Sequence, residues 1–210
     1  MRLLLALDGA LGPFSVALVD RDEPAFARSA AAGPNAALEA GLSLVEDVLA
    51  GTSAAALTAV AVSTGPGSYT GMRIAMAYAK AFALARRLPL VPVNSYDVLD
   101  PDGAGDPAAA FVAGRPGRVC ARLRAGSALT VFCGAESEVA DALAGALPVG
   151  ATLACSGAWQ GAAPRLGERG IIVHCSPPLE SPPALAVARR ALRSEPAPSP
   201  HAVTADYGER

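Results

Sequence analysis

The segment Ser63-Thr64-Gly65-Pro66-Gly67-Ser68-Tyr69-Thr70-Gly71-Met72-Arg73 compresses a strand exit, a glycine turn and a helix entry into eleven positions, a place built for close backbone approach. Ahead of it, Leu57–Ser63 is a short apolar run ending in small polar residues, the pattern of a buried strand. Gly65 and Gly67 permit backbone angles that a side chain forbids, Pro66 fixes one φ, and Ser68 or Thr70 can cap the helix that starts near Gly71. The amides of that helix start can also hold an anion. Arg73 stands in the first turn, where a cation opposes the helix dipole by about 0.3–1 kcal/mol. A carboxylate, a phosphate or a partner chain would offset that cost. A plain strand-to-helix connection with Arg73 reaching solvent is the alternative. The loop lacks the Gly-Lys-Ser/Thr ending of a P-loop, which excludes that phosphate clamp.

Strand-like runs at Leu3–Asp8, Phe14–Asp20 and Ala25–Ser29, joined by short turns, predict an antiparallel meander. Asn35 suits an N-cap, and Leu38, Leu42, Val45 and Leu49 predict a helix over Asn35–Ala50. Leu57–Ser63, a helix Gly71–Leu88 and a strand Leu90–Val93 complete the order β-β-β-α-β-α-β. Asp100–Pro107 is rich in Pro, Asp and Gly and reads as a hinge. Beyond it we expect strands at Ala109–Ala113, Arg118–Arg124 and Leu129–Cys133, then a helix at Glu136–Leu147. Strands at Thr152–Cys155 and Ile171–Cys175 and a helix at Ala184–Arg193 complete that half. The stretch Glu195-Pro196-Ala197-Pro198-Ser199-Pro200 predicts an extended linker.

Gly65-Pro66-Gly67-Ser68-Tyr69-Thr70-Gly71-Met72-Arg73 closely resembles the G-P-G-S-F-T-G-x-R segment of the TsaB (YeaZ) family. Leu3–Ala10 with Phe14–Leu18 is similar to that family's opening strand, D-T-[AS] turn and second strand, and the likeness extends over residues 1–95. Further on, Phe111–Cys120 resembles the family's D-A-R-x-G-E-V-Y hairpin, with Arg118 and Cys120 in place of the acid and the aromatic. Tyr207 and Arg210 loosely resemble its terminal P-x-Y-L-R. The polar residue usual near the first helix start is replaced around Pro34-Asn35.

The resemblance implies an actin-like/Hsp70-like ATPase fold (ASKHA, RNase H-like) of two lobes, each a mixed β-sheet flanked by helices. An N-terminal lobe over residues 1–99 would carry the interface helices, a smaller lobe would span 108–194, and 195–210 would be a Pro-rich tail. It also implies a non-catalytic subunit that binds and activates a TsaD-like enzyme, the tRNA N6-adenosine threonylcarbamoyltransferase that forms threonylcarbamoyladenosine at position 37. A TsaE-like ATPase is a further implied partner, tRNA is reached only through the complex, and the chain alone forms a homodimer. No cofactor of this chain is required, and ATP or ADP is allowed at a subunit interface.

Among the residues themselves, Asp8, Gly65, Gly67, Ser68 and Thr70 are the candidates for a vestigial phosphate site. Asp8 is otherwise a turn residue closing a hairpin. Where the catalytic relatives carry two metal-binding histidines, this chain aligns Ser95 and Leu99, and Leu99 cannot ligate a metal. His174 ends an apolar strand and is expected in the core. His174 and His201 are the only histidines, and no G-x-S-x-G surrounds any serine, so a hydrolase has little support.

The helices at Gly71–Leu88 and Asn35–Ala50 are apolar on more than one face. We therefore expect a partner interface built from Leu38, Gly41, Leu42, Val45, Arg73, Ala75, Met76, Ala79 and Phe82. Cover by other parts of the same chain is the alternative.

The 52% hydrophobic content suffices for a real core in 210 residues. The net charge of −2 argues against an independent grip on a polyphosphate. Arg118, Arg122 and Arg124 share one strand parity but are too few to claim RNA recognition. The four cysteines, with no C-x-x-C pair, are expected as reduced thiols, and Met1–Leu7 as the first strand of a cytoplasmic protein. Two readings stand beside the assembly subunit: an autonomous ATPase or phosphotransferase of the same fold, and a diverged homodimer that has lost its partnership.

Overall fold

The structure, a computed structural model, describes residues 2–21, 27–32, 37–100, 105–114, 116–176, 179 and 182–208. Two compact units are formed, Met1–Val98 with Leu179–Asp206, and Leu99–Pro178 with Tyr207–Arg210. In the first unit the chain runs through β1 (Leu3–Asp8), β2 (Ser15–Asp20), β3 (Ala27–Ala31), α1 (Ala37–Leu49), β4 (Leu57–Gly65), α2 (Tyr69–Arg86) and β5 (Leu90–Asn94). A short helix α3 (Ser95–Leu99) follows. The strands form one five-stranded sheet in the order β3-β2-β1-β4-β5. β1 pairs antiparallel with β2 and parallel with β4, whose other side pairs parallel with β5. The expected strand Ala25–Ser29 and the cap Asn35 fall partly or wholly outside the described residues.

Every residue of β1 is buried, because the sheet is covered on both faces. Leu3, Leu5 and Leu7 point to one side and pack with Met72, Ala75, Met76, Ala79 and Ala83 of α2. Leu4 and Ala6 point to the other and pack with Ala184, Val187, Ala188 and Ala191. Those last four residues, spaced for one helix face, belong to α6 (Pro183–Ala191). The sequence reading assigned this helix to the second lobe. The structure corrects that, since its apolar stripe lies on β1 and β2 and the Ala184 amide donates to the Ser15 hydroxyl at 3.1 Å.

The presumed linker after residue 195 is corrected as well. The Ala197 amide donates to the Leu90 carbonyl at 2.9 Å, Pro200–Ala202 form a 3-10 turn, and Val203 is 3% exposed in the first core. The Asp206 amide then donates to the Thr64 carbonyl at 2.7 Å, and the Asn94 side chain donates to the Asp206 carboxylate at 3.0 Å. Prolines exclude a helix there, but they do not prevent extended chain from packing.

The second unit contains β6 (Ala108–Ala113), β7 (Arg118–Ala125), β8 (Ala128–Ala135), α4 (Glu136–Ala146), β9 (Thr152–Gly157), α5 (Ala163–Glu168) and β10 (Ile172–Cys175). Its sheet order is β10-β9-β6-β7-β8, the same succession as the first sheet: meander, parallel strand, parallel strand. α4 and α5 cover one face, where Ala109, Phe111, Ala121, Leu123, Leu143, Leu153 and Leu166 form the core. β7 accordingly alternates buried and part-exposed residues along its length.

Two expectations fail in this unit. His174 is exposed rather than in the core, since its neighbours Val173 and Leu153 take the inward parity. Cys120 and Cys133 are not separate thiols: they face each other across the β7–β8 ladder and are joined as a disulfide. Cys155 is buried. No helix among the described residues is long and apolar enough to cross a membrane.

Burial of Val203 yields a direct expectation. Val203→Asp places an unpaired carboxylate in the first core and should lower stability by several kcal/mol. Urea unfolding followed by circular dichroism measures it; a loose tail would leave the midpoint unchanged.

Candidate functional site

The C-terminal ends of the parallel pair β1 and β4 bring the turn after Asp8 beside the glycine loop after Thr64. The two loops meet backbone to backbone. The Ser68 amide donates to the Ala10 carbonyl at 3.0 Å, and a Cβ at Gly67 would overlap that same carbonyl. Gly9 and Gly71 face each other so closely that a Cβ on either would overlap the carbonyl oxygen of the other. Gly65, at φ 98°, lies against the Asp206 carbonyl and the Met72 sulfur.

As anticipated, Ser68 is the N-cap of the helix, its hydroxyl accepting from the Gly71 amide at 3.3 Å. The helix begins two residues earlier than expected, at Tyr69. It ends where Arg87, at φ 53°, turns left-handed and lets the Leu88 amide reach the Ala83 carbonyl at 2.9 Å.

Asp8 is fully buried. One carboxylate oxygen accepts from the Ala10 amide and the other from the Leu11 amide, each at 3.2 Å, so the side chain closes its own turn. The Gly9 amide reaches the Ser63 hydroxyl at 3.4 Å. Desolvation pushes the Asp8 carboxyl above its ordinary value of 3.8, opposed by the Ser63 hydroxyl and by the Leu11 and Ala10 amides.

Each residue expected at a phosphate site, Thr70 apart, has a partner within the chain. Gly65 and Gly67 serve contacts between backbones, Ser68 caps its helix, and Asp8 is turned inward onto two amides of its own turn. Thr70 is exposed on the first turn of α2. Ser63, Gly9, Asn94 and Asp206 complete the cluster and were not singled out from the sequence. The Gly9–Gly71 contact was open to inference, because both glycines follow strands that pair in parallel. Asn94 and Asp206 lie 112 positions apart and carried no signal.

Among the expected interface residues, burial separates two sets. Val45, Ala75, Met76 and Ala79 are 7%, 0%, 6% and 0% exposed and pack into the chain's own core, so their assignment to a partner face is corrected. Gly41 is buried against the Tyr78 ring, whose Cε2 would lie 2.7 Å from a Cβ there. The close helix approach read from small residues therefore exists, but it joins α1 to α2 within one chain. Phe82 is half-buried beneath the Arg86 guanidinium, 5.6 Å from its ring centre. The Leu38 side chain lies outside what the structure describes.

Leu42 is 63% exposed, and Arg73 is exposed, its guanidinium donating to the Tyr69 hydroxyl at 2.9 Å and lying 5.2 Å above that ring. The outward face of α2 is Thr70, Arg73, Ala77, Ala81 and Leu84. In the second unit, two arginines of the stripe converge on one carboxylate. Arg124 grips Asp100 at 2.8 and 2.9 Å, and Arg122 stands 3.9 Å from it.

A family model described as TsaD, tRNA N6-adenosine threonylcarbamoyltransferase, matches residues 39–134. A tRNA N6-adenosine threonylcarbamoyltransferase of Streptococcus pyogenes serotype M5 (strain Manfredo) is 55% identical over 51 residues. Those residues are 23% of this chain and only 15% of that relative. YeaZ from Pseudomonas aeruginosa superposes with a TM-score of 0.70 at 24% identity, covering 99% of this chain and all of that one. This chain has the YeaZ fold. The likeness of Gly65–Arg73 to the TsaB (YeaZ) family is thus met by the whole architecture, an actin-like/Hsp70-like ATPase fold with two mixed sheets flanked by helices. A ROK family protein from Streptococcus pneumoniae TIGR4 shares the fold more distantly, with a TM-score of 0.50 at 10% identity over 91% of this chain and 98% of its own.

Within the YeaZ fold, the interlocked loops make three expectations measurable. Gly67→Val should cost at least about 1–3 kcal/mol, since its side chain must displace the Ala10 backbone; an unchanged melting temperature would show that the loops can part freely. For Asp8, a folded pKa raised above the unfolded one adds stability that is complete below the unfolded value and is lost as pH rises through the folded value. The stability difference between Asp8→Asn and wild type should therefore move toward the variant as pH rises above about 4. Asp8→Ala, which orphans the Ala10 and Leu11 amides, should cost about 1–3 kcal/mol. Urea titrations at several pH values test both.

Proposed function

We propose that this chain is an assembly subunit of the TsaB kind, which binds and activates a TsaD-like tRNA N6-adenosine threonylcarbamoyltransferase in threonylcarbamoyladenosine formation. The observation that carries the reading is the outward face of α2, next to the loop that resembles the family. It is uninterrupted by acid and presents Thr70, Arg73, Ala77, Ala81 and Leu84, with Leu84 44% exposed. The outward side of α1 adds Leu42 between Glu39 and Glu46. Short side chains on α2 let a partner helix approach closely, while acids on α1 and arginines on α2 suit a partner or second copy with the same two helices.

Asp8 serves its own turn, which favours a supporting role over autonomous ATP turnover. In this reading tRNA is met only in the complex, a TsaE-like ATPase joins it, and any ATP or ADP binds where subunits meet. The chain works in the cytoplasm.

Depleting the chain from its native cell should lower threonylcarbamoyladenosine in bulk tRNA, measured by mass spectrometry of nucleosides; unchanged levels would end the proposal. At the surface itself, Ala77→Glu and Ala81→Glu should abolish co-purification with the transferase and shift a homodimer to monomer while circular dichroism stays native. Ala79→Glu, two residues from Ala77 but 0% exposed, should unfold the first unit instead. Retained assembly in the two outer variants would remove α2 from the interface.

A further inference from the structure

Cys120 and Cys133 sit directly opposite each other in an antiparallel ladder, with Cα atoms 4.2 Å apart. The ladder does not depend on their bond. Eight residue pairs run from Arg118 and Ala135 to Ala125 and Ala128, closed by a turn in which Gly126 takes φ 57°. The cross-link therefore closes a loop that the hairpin already closes, and it adds little to the folded sheet. β8 is an edge strand and both cysteines are only partly buried, so small reagents can reach them.

Cys155, by contrast, is 0% exposed on the opposite face with Phe111 and Leu153. It cannot take part without unfolding.

The surroundings of the pair favour exchange chemistry. Arg118 and Arg122 stand two residues to either side of Cys120 on the same strand face, and cations beside a thiol favour its reactive thiolate. Asp100 lies beside that face, held by Arg124 at 2.8 Å and approached by Arg122 at 3.9 Å. Gly208 lies directly on the sulfurs: a Cβ there would fall 2.5 Å from the Cys120 Sγ and 3.0 Å from the Cys133 Sγ.

We propose that Cys120 and Cys133 form a thiol–disulfide exchange site for a low-molecular-weight thiol and disulfide couple of the glutathione class, with Gly208 as its cover. In the oxidising direction the Cys120 thiolate attacks one sulfur of the small disulfide, forming a mixed disulfide and expelling one thiolate. Cys133 then loses its proton and attacks the Cys120 sulfur, forming the protein disulfide and expelling the second small thiolate. Two protein thiols and one small disulfide become one protein disulfide and two small thiols, and two electrons pass to the small molecule. Reduction is the reverse.

The full chain, equilibrated natively over a range of reduced to oxidised glutathione, then acid-quenched, alkylated and peptide-mapped by mass spectrometry, tests this. Cys120 and Cys133 should become labelled together as the ratio shifts. Circular dichroism should be the same at both ends. Cys133→Ser should carry glutathione on Cys120, and amide hydrogen exchange at Tyr207 and Gly208 should rise on reduction. A pair that stays oxidised, or stays reduced, at every ratio overturns the proposal. So does a reduced form that loses its sheet signal, which would make the bond a structural staple. The wild-type titration decides the matter even if Cys133→Ser fails to fold.

Discussion

Two loops touch through backbone alone, and the first unit is arranged around that contact. Gly67 rests on the Ala10 carbonyl, while Gly9 and Gly71 rest on each other. A side chain at any of these positions would push α2 away from the end of β1. The displacement would propagate, because Met72, Ala75, Met76, Ala79 and Ala83 line the side of α2 that covers Leu3, Leu5 and Leu7. Interiors packed at crystal-like density do not absorb such a shift. The glycines are thus the means by which a long helix starts flush against the sheet it must cover.

Asp8 occupies the centre of this contact at an energetic cost. A carboxyl sealed from water resists ionisation, and its burial stabilises nothing by itself. What it supplies is two acceptors for amides in the turn that the glycine loop then covers. With an apolar residue in its place, the Ala10 and Leu11 amides would lack those acceptors.

Much of this fold was legible in the sequence, for identifiable reasons. β1, β4 and α2 follow from an apolar run, a glycine turn and a Ser cap, all local signals whose physics acts within a few residues. Covered faces were less legible. A helix such as α2 with apolar residues around most of its circumference does not say which side meets its own sheet, and Ala75 and Ala79 were assigned outward when they face inward. The size of Gly41 was read correctly as a means of close approach, yet its neighbour is Tyr78 of the same chain. Burial by distant chain decides such cases: α6 and Val203 reach the first sheet from more than a hundred residues away. The pairing of Cys120 with Cys133 was hidden for another reason, since it depends on hairpin register, and register is not visible in cysteine spacing.

The two sheets share one strand order, yet they pose different problems to the sequence. In the first, helices lie on both faces, so β1 needs apolar side chains at every position and reads as Leu-Leu-Leu-Ala-Leu. In the second, the helices of the unit cover one face, so β7 alternates Arg, Cys, Arg and Arg with Val, Ala and Leu. The alternation leaves the polar parity of β7 available for chemistry, and both the Asp100 cluster and the sulfur pair are found there. A repeated topology thus diverges through its cover. Where both faces are closed, the chain gives up polar surface for a rigid platform, and α2 presents its outer face from that platform. Where one face is left without a helix of its own unit, side chains that can ionise or exchange electrons are retained.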